Sequence, residues 1–194
     1  MKKYKKLIVF YLLLIGLGFL FNSFYIQGKA IVAQYLIKNS WEKSLESKVF
    51  YKPWPWVDTK TILKMHIPKL KKDIYILENS SGHSLAFGPG HSTESFMPGN
   101  NGTVLISAHR DTHFEFLKDM NLNDEIVLYD ISSQEHRYRI TNTKIIDTKT
   151  DNIGIYKGNE KLILITCWPF DSLESGGSKR YVVYFDKIEL FSKF

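Results

Sequence analysis

Two hydrophobic patterns divide the chain. Leu7 to Phe21 contains fifteen residues without a charge or strongly polar group, and the apolar character continues through Asn22 and Ser23 to Ile26, a segment of 20 residues. At about 1.5 Å per residue, a helix of that length just crosses a bilayer core. From Lys29 to Leu45, Ile31, Val32, Tyr35, Leu36, Trp41 and Leu45 recur at spacings of three to five. This predicts a juxtamembrane helix with one apolar face and with Lys38, Glu42 and Lys43 on its wet side. The segment YKPWPWVD, Tyr51 to Asp58, then ends helical periodicity with two prolines and reads as an extended connector. Trp54 and Trp56 are expected to staple that connector onto the domain that follows.

From Thr59 onward the period is that of strands. Thr61–Ile67, Asp73–Leu77, Thr103–Ala108, Glu125–Asp130, Arg137–Ile146, Lys161–Thr166 and Tyr181–Ile188 carry β-branched and aromatic residues between turn signals. Ser80–Pro89 is expected to hold one helical turn around Ser84–Phe87. Asp111–Met120 is expected to form a short helix that packs Phe114, Phe116, Leu117 and Met120. Seven or eight short strands with little helix between them argue for an all-β closed or half-closed barrel rather than βαβ units. The expected division is 1–27 for the lysine-led membrane segment, 28–58 for the juxtamembrane helix and connector, and 59–194 for the barrel.

Charge narrows the partners. Lys2, Lys3, Lys5 and Lys6 supply four of the 26 basic residues, leaving 22 against 20 acidic ones, or +2, in the remainder. No stripe of Arg and Lys interleaves with aromatics there, so nucleic acid is not an expected partner. The lysines instead precede the apolar segment, which places that end in the cytoplasm and the rest of the chain outside. A retained anchor competes with a cleaved signal peptide. Gly28-Lys29-Ala30 is a poor small-x-small cleavage site and lies well past the hydrophobic stretch, which favours the anchor.

The chemistry gathers at strand ends. Cys167, the chain's single cysteine, lies where the apolar run Leu162–Ile165 passes through Thr166 into a Pro/Asp/Ser/Gly-rich loop. Arg180 stands at the start of the next run, and His109 ends the earlier strand TVLISAH. One Cys, one His and one Arg so placed suggest a thiol site; a buried structural cysteine is the other reading. His109 and His113 are spaced i,i+4, but Arg110-Asp111-Thr112 lies between them and the general-base glutamate of H-E-x-x-H is missing. No calcium loop, P-loop or dinucleotide fingerprint is present, so no metal and no cofactor are expected. His83 and His91 flank the Gly88-Pro89-Gly90 turn and either line a pocket or are simply solvated. Asp111 either orients an imidazole or caps the helix after it, the cap being the simpler role.

Three blocks, PGNNGTVLISAHRDTHFEFL (Pro98 to Leu117), LILITCWPF (Leu162 to Phe170) and KRYVV (Lys179 to Val183), make the chain resemble the sortases, membrane-anchored cysteine transpeptidases. LAFGPGH (Leu85 to His91) and the KPWPW connector further resemble the subgroup found in Gram-negative, often marine, bacteria. The resemblance implies an eight-stranded sortase-type β-barrel with short helices behind an N-terminal transmembrane helix. It implies Cys167 as nucleophile, His109 as general acid and base, and Arg180 as the oxyanion or substrate donor. It also implies substrate contacts from Ala108, Thr166, Trp168 and His91. The implied partners are a protein with an LPxTG-like C-terminal signal, cut between Thr and Gly through a thioester, and an amine acceptor, with residues 7–26 in the lipid bilayer. The implied address is the inner (cytoplasmic) membrane, single-pass, with the barrel on the periplasmic or other extracytoplasmic side. A membrane-tethered binding module, or a thiol protease that mainly hydrolyses its substrate, is the alternative. Ile163 replaces the first Thr of the family's T-L-x-T-C and is expected to face the core.

The pattern generates a test of topology. Mature protein should retain its N-terminus, with the lysines inside and the barrel outside, as read by N-terminal peptide mass spectrometry and protease protection. A mature chain beginning near Ile31 would defeat the anchor.

Overall fold

The computed structural model describes residues 2–172 and 176–189, with side chains from Tyr4 onward. Two compact units partition the chain, Met1–Leu36 and Ile37–Phe194. Helix α1 runs without interruption from Lys2 to Ser47, where the sequence pattern predicts a membrane segment followed by a separate helix. The intervening Gln27-Gly28-Lys29 holds a glycine, which costs about 1 kcal/mol in a helix, but no proline to remove a backbone bond. Within the first unit the large apolar side chains from Leu7 to Ile26 are exposed. By length and composition this helix can cross a membrane.

In the second unit the last turns of α1 pack Ile37 and Trp41 to 1% exposure. Ser40 shares a 2.9 Å hydrogen bond with Thr61, and the Tyr51 N–H donates to Ser44 Oγ at 2.9 Å. The connector fulfils half of its expectation. Trp54 meets Phe87 edge-on at 5.0 Å, whereas Trp56 is 81% exposed and staples nothing.

Among the described residues eight strands follow: β1 (Thr61–Ile67), β2 (Lys72–Leu77), β3 (Gly90–His91), β4 (Thr103–Ser107), β5 (Glu125–Tyr129), β6 (Glu135–Asp147), β7 (Lys161–Cys167) and β8 (Lys179–Lys187). They close into a barrel in the order β1-β2-β3-β4-β7-β8-β6-β5. The β2–β3 and β4–β7 pairs are parallel, and the others antiparallel. Seven strands lie where periodicity predicts them. β3 is the eighth, and its two residues are too few for a period. Gly90 is required there because a Cβ would collide with the Asn79 carbonyl.

β7 shows why an unbroken apolar run suits this fold. Leu162 and Leu164 enter the main core with Leu63, Val104, Tyr138 and Phe185, while Ile163 joins a second cluster with Ile146 and Val182. Successive side chains point to opposite faces, and here both faces are covered. Ile163 is therefore buried, but on the face away from the main core where the sequence expectation put it. Segment 111–120 also differs from expectation. Only Glu115–Asp119 is helical, as a 3-10 turn capped by no side chain, so Asp111 is not a cap. A ten-residue stretch without a cap nucleates an α-helix poorly, yet Phe114, Phe116, Leu117 and Met120 all reach the core as expected. Helix α2 (Gly82–Leu85) supplies the expected single turn, with Ser81 accepting from the Ser84 N–H.

At the barrel end where β7 starts and β8 finishes, the Glu160 side chain is 2% exposed. It accepts from Tyr138 Oη at 2.5 Å, the Gly99 N–H at 3.1 Å and Lys187 Nζ at 2.8 Å. Burial alone pushes this carboxyl up, but the bonds from Lys187, Tyr138 and Gly99 together hold it below its ordinary range. With the folded value depressed, the stabilisation is full above the unfolded glutamate range and is lost as pH falls through the lower, folded value. Glu160→Ala should therefore cost about 3 kcal/mol in urea unfolding, the lower end for a broken buried pair because Lys187 is partly exposed. Glu160→Gln should flatten the acid side of the stability curve. An unchanged acid side would remove Glu160 from that role.

Candidate functional site

Strand order brings three distant residues to one rim. Parallel β4 and β7 are paired from Thr103↔Lys161 to Ser107↔Ile165, so their C-terminal ends finish side by side. The alignment continues past the last ladder residues, because Ala108 donates its N–H to the Ile165 carbonyl at 3.2 Å. Two residues beyond Ser107 and Ile165 are His109 and Cys167. Antiparallel β8 begins at the same end, and its register sets Arg180 directly opposite Cys167. Opposed residues of neighbouring strands project to one face with Cβ atoms about 5 Å apart.

His109, Cys167 and Arg180 line one cavity of about 350 Å³ together with Ser80, Leu85, Ser107, Ala108, Ile165 and Thr166. His109 is exposed and Cys167 is half-buried, which sets Cys167 apart from an inert core cysteine. Arg180 Nη1 donates to the Gly177 carbonyl at 2.5 Å and to the Lys179 carbonyl at 2.9 Å. Thr166 is 2% exposed and its hydroxyl donates to the Ala108 carbonyl at 2.7 Å. That bond ties the residue before Cys167 to the residue before His109.

The other expected contacts lie apart from this cavity lining. Trp168 stacks on Tyr181 at 5.7 Å between centroids and meets Phe170 edge-on, forming an aromatic base for the loop after Cys167. His91 is 4% exposed, with Nε2 3.0 Å from the Phe96 carbonyl and 3.1 Å from Ser95 Oγ. Burial lowers its pKa against the opposing pull of the Phe96 carbonyl, so the neutral ring serves the turn between β3 and β4. His83 is exposed on α2 and borders a separate groove of about 660 Å³ with Trp54 and Trp56. His113 is half-buried, and burial, Lys72 and His109 lower its pKa while Asp111 opposes them. Among the described residues, no three His, Cys, Asp or Glu side chains gather as metal ligands. Sequence reading passed over Arg110, whose Nη2 donates to the Ser172 carbonyl at 2.7 Å. Its position beside His109 was visible; its partner, 62 residues away, was not.

The sequence and the barrel both resemble known proteins. A sortase domain model matches residues 65–188. Sortase D of Bacillus subtilis (strain 168) is 36% identical over 121 residues, which are 62% of this chain and 60% of that protein. The chain thus spans about 60% of the length of the curated relative. Among solved structures, sortase A from Corynebacterium diphtheriae matches with a TM-score of 0.60 at 21% identity, over 70% of this chain and 64% of that one. A Clostridium perfringens sortase D5 transpeptidase matches with a TM-score of 0.61 at 21% identity, over 81% and 96%. At these identities the structural matches speak for the fold alone. They also correct one expectation. The named relatives are Gram-positive, not Gram-negative marine bacteria, so the LAFGPGH and KPWPW likenesses do not assign the subgroup. The periplasmic part of the expected address rested on that subgroup and falls with it.

The buried hydroxyl of Thr166 makes it a tether in this arrangement. Thr166→Val should cost about 1 kcal/mol in unfolding, the value of one hydrogen bond. Toward an LPxTG-type peptide, the substrate that the family resemblance implies, it should lower kcat more than it raises KM. A change confined to KM would return Thr166 to the role of a substrate contact.

Proposed function

The chain belongs to the sortase family, and on that footing we propose that it is a membrane-anchored cysteine transpeptidase acting at the β4–β7–β8 rim. The observation that carries this reading is the pairing of Cys167 with Arg180 across β7 and β8, in one cavity with His109. Helix α1 supports anchorage through residues 7–26, with the lysine-led end inside and the barrel outside the cytoplasmic membrane.

In this reading Cys167, as thiolate, attacks the threonine carbonyl of an LPxTG-like signal and a C–S bond forms. The tetrahedral oxyanion collapses, the Thr–Gly C–N bond breaks, and the glycine amine leaves with a proton from imidazolium His109. An amine acceptor then attacks the thioester and gives its proton to His109, releasing Cys167; water in its place gives hydrolysis. Arg180 suits the oxyanion because its guanidinium stays charged and presents a rigid fork. Nη1 is held by Gly177 and Lys179. Among the described residues, Nε and Nη2 have no hydrogen-bond partner and remain available to substrate.

The test is to incubate the full chain in detergent with an LPxTG-type peptide and look for an acyl adduct on Cys167 by mass spectrometry. The full chain is needed because Ile37–Ser47 of α1 belongs to the barrel's unit. Cys167→Ala should form no adduct, and His109→Ala should be nearly inactive. Arg180→Ala should lose roughly 2–4 kcal/mol of transition-state stabilisation, and Arg180→Lys should recover only part. An active Cys167→Ala protein, or unchanged kcat/KM in Arg180→Ala, would overturn the assignment.

A further inference from the structure

His109 lies between two residues that are each bonded to a segment flanking Cys167. On one side, Ala108 donates its N–H to the Ile165 carbonyl at 3.2 Å and accepts the Thr166 hydroxyl at 2.7 Å. On the other side, half-buried Arg110 donates Nη2 to the Ser172 carbonyl at 2.7 Å, in the loop after Cys167. The first connection prolongs the β4–β7 sheet. The second is a side chain spanning 62 sequence positions to meet a loop carbonyl, and the sheet by itself does not demand it.

Each loop is anchored separately at its base. The His109 loop is pinned where the Phe114 N–H donates to the His109 carbonyl at 3.0 Å and the Phe114 ring enters the core at 0% exposure. The Cys167 loop is pinned where the Trp168 N–H donates to the Lys179 carbonyl at 3.1 Å and where Trp168, Phe170 and Tyr181 pack together. Arg110 joins these two anchored loops beyond the end of the ladder. Arg180 holds the same loop from its other side, through the Gly177 carbonyl. Arg180 also lines the cavity, whereas Arg110 does not. Its bond therefore acts on the walls of the site rather than on its contents.

We infer that Arg110 is a positioning residue whose bond to the Ser172 carbonyl holds the His109 loop against the Cys167 loop, keeping imidazole and thiol in register during proton transfer. Its kinetic consequence rests on the transpeptidase reading; its structural consequence does not. Without the bond, exposed His109 would lose one of its two described ties to the cysteine side and keep the one through Ala108, and segments past the last sheet bond open at small cost. A misplacement of about 1 Å between reacting groups costs on the order of 100-fold in rate.

The experiment compares wild type with Arg110→Ala and Arg110→Lys, as full chains in detergent, by three readouts. Amide hydrogen exchange should quicken in 108–114 and 168–172 together in Arg110→Ala, with the Glu160 end of the barrel unchanged. Adduct formation with an LPxTG-type peptide should fall by about 10- to 100-fold in kcat with little change in KM. Alkylation of Cys167 by iodoacetamide should keep its rate and pH dependence, because the thiol itself is untouched. Arg110→Lys should restore part of kcat, since a single ammonium can reach one carbonyl without the planar fork. Should Arg110→Ala fail to fold, Arg110→Gln carries the same comparison. Unchanged exchange or unchanged kcat would overturn the inference. Alkylation slowed in parallel with turnover would also overturn it, because Arg110 would then act by charge on the thiol. If wild type forms no adduct, the transpeptidase reading fails, and the exchange data still decide whether Arg110 joins the two loops.

Discussion

Parallel pairing of β4 with β7 is the constraint on which the candidate site depends. A parallel pair needs a long crossover, and here β5 and β6 are threaded into that crossover. Parallel strands finish at the same end of a sheet, so residues just beyond β4 and at the end of β7 must share a rim. His109 and Cys167 line one cavity for that reason although they stand 58 positions apart. β8 returns antiparallel and starts where β7 ends, which adds Arg180 without further machinery. The same strands in another order would keep every motif and scatter the three side chains.

The two ends of β7 serve different purposes. At its start, Lys161 neighbours Glu160, whose carboxylate is satisfied by Tyr138, Gly99 and Lys187 in a nearly closed environment. About 20 Å away along the strand, Cys167 is half-buried, His109 is exposed, and Arg180 is held, among the described residues, by the Gly177 and Lys179 carbonyls. A buried carboxylate with a full set of donors closes one end of the barrel. The other end leaves the half-buried thiol and the exposed imidazole on an open cavity. Between them β7 is apolar on both faces, so the strand that carries Cys167 is covered from the main core and from the Ile146–Val182 cluster alike.

Much of the fold was legible because its signals are local. Seven strands declared themselves by alternation or by β-branched runs, and the single turn at α2 by its Ser and Gly residues. Cys167, His109 and Arg180 stood out because each closes or opens an apolar run. Errors arose where the deciding contact is distant or where no signal exists. Two-residue β3 has no period. The segment after His109 has helical spacing in the pairs Phe114–Leu117 and Phe116–Met120, but those side chains are placed by the core rather than by helix propensity. His91 looked like a loop histidine free to line a pocket, until the fold buried it against the Phe96 carbonyl.

The sequence by itself determined the kinds of element, the apolar helix behind its lysines, and the residue types capable of thiol chemistry. These follow from periodicity, charge and composition, which are properties of neighbouring residues. Tertiary structure alone decided strand order, and with it which residues became neighbours. It set Arg180 opposite Cys167 and aimed the Thr166 hydroxyl at the Ala108 carbonyl. It covered the Ile163 face of β7 with Ile146 and Val182, and carried Arg110 to the Ser172 carbonyl. Each of these pairings lies between residues far apart in the chain or turns on which face of a sheet finds cover. Local pattern holds no information about either, because strand register and closure are set by packing of the whole barrel.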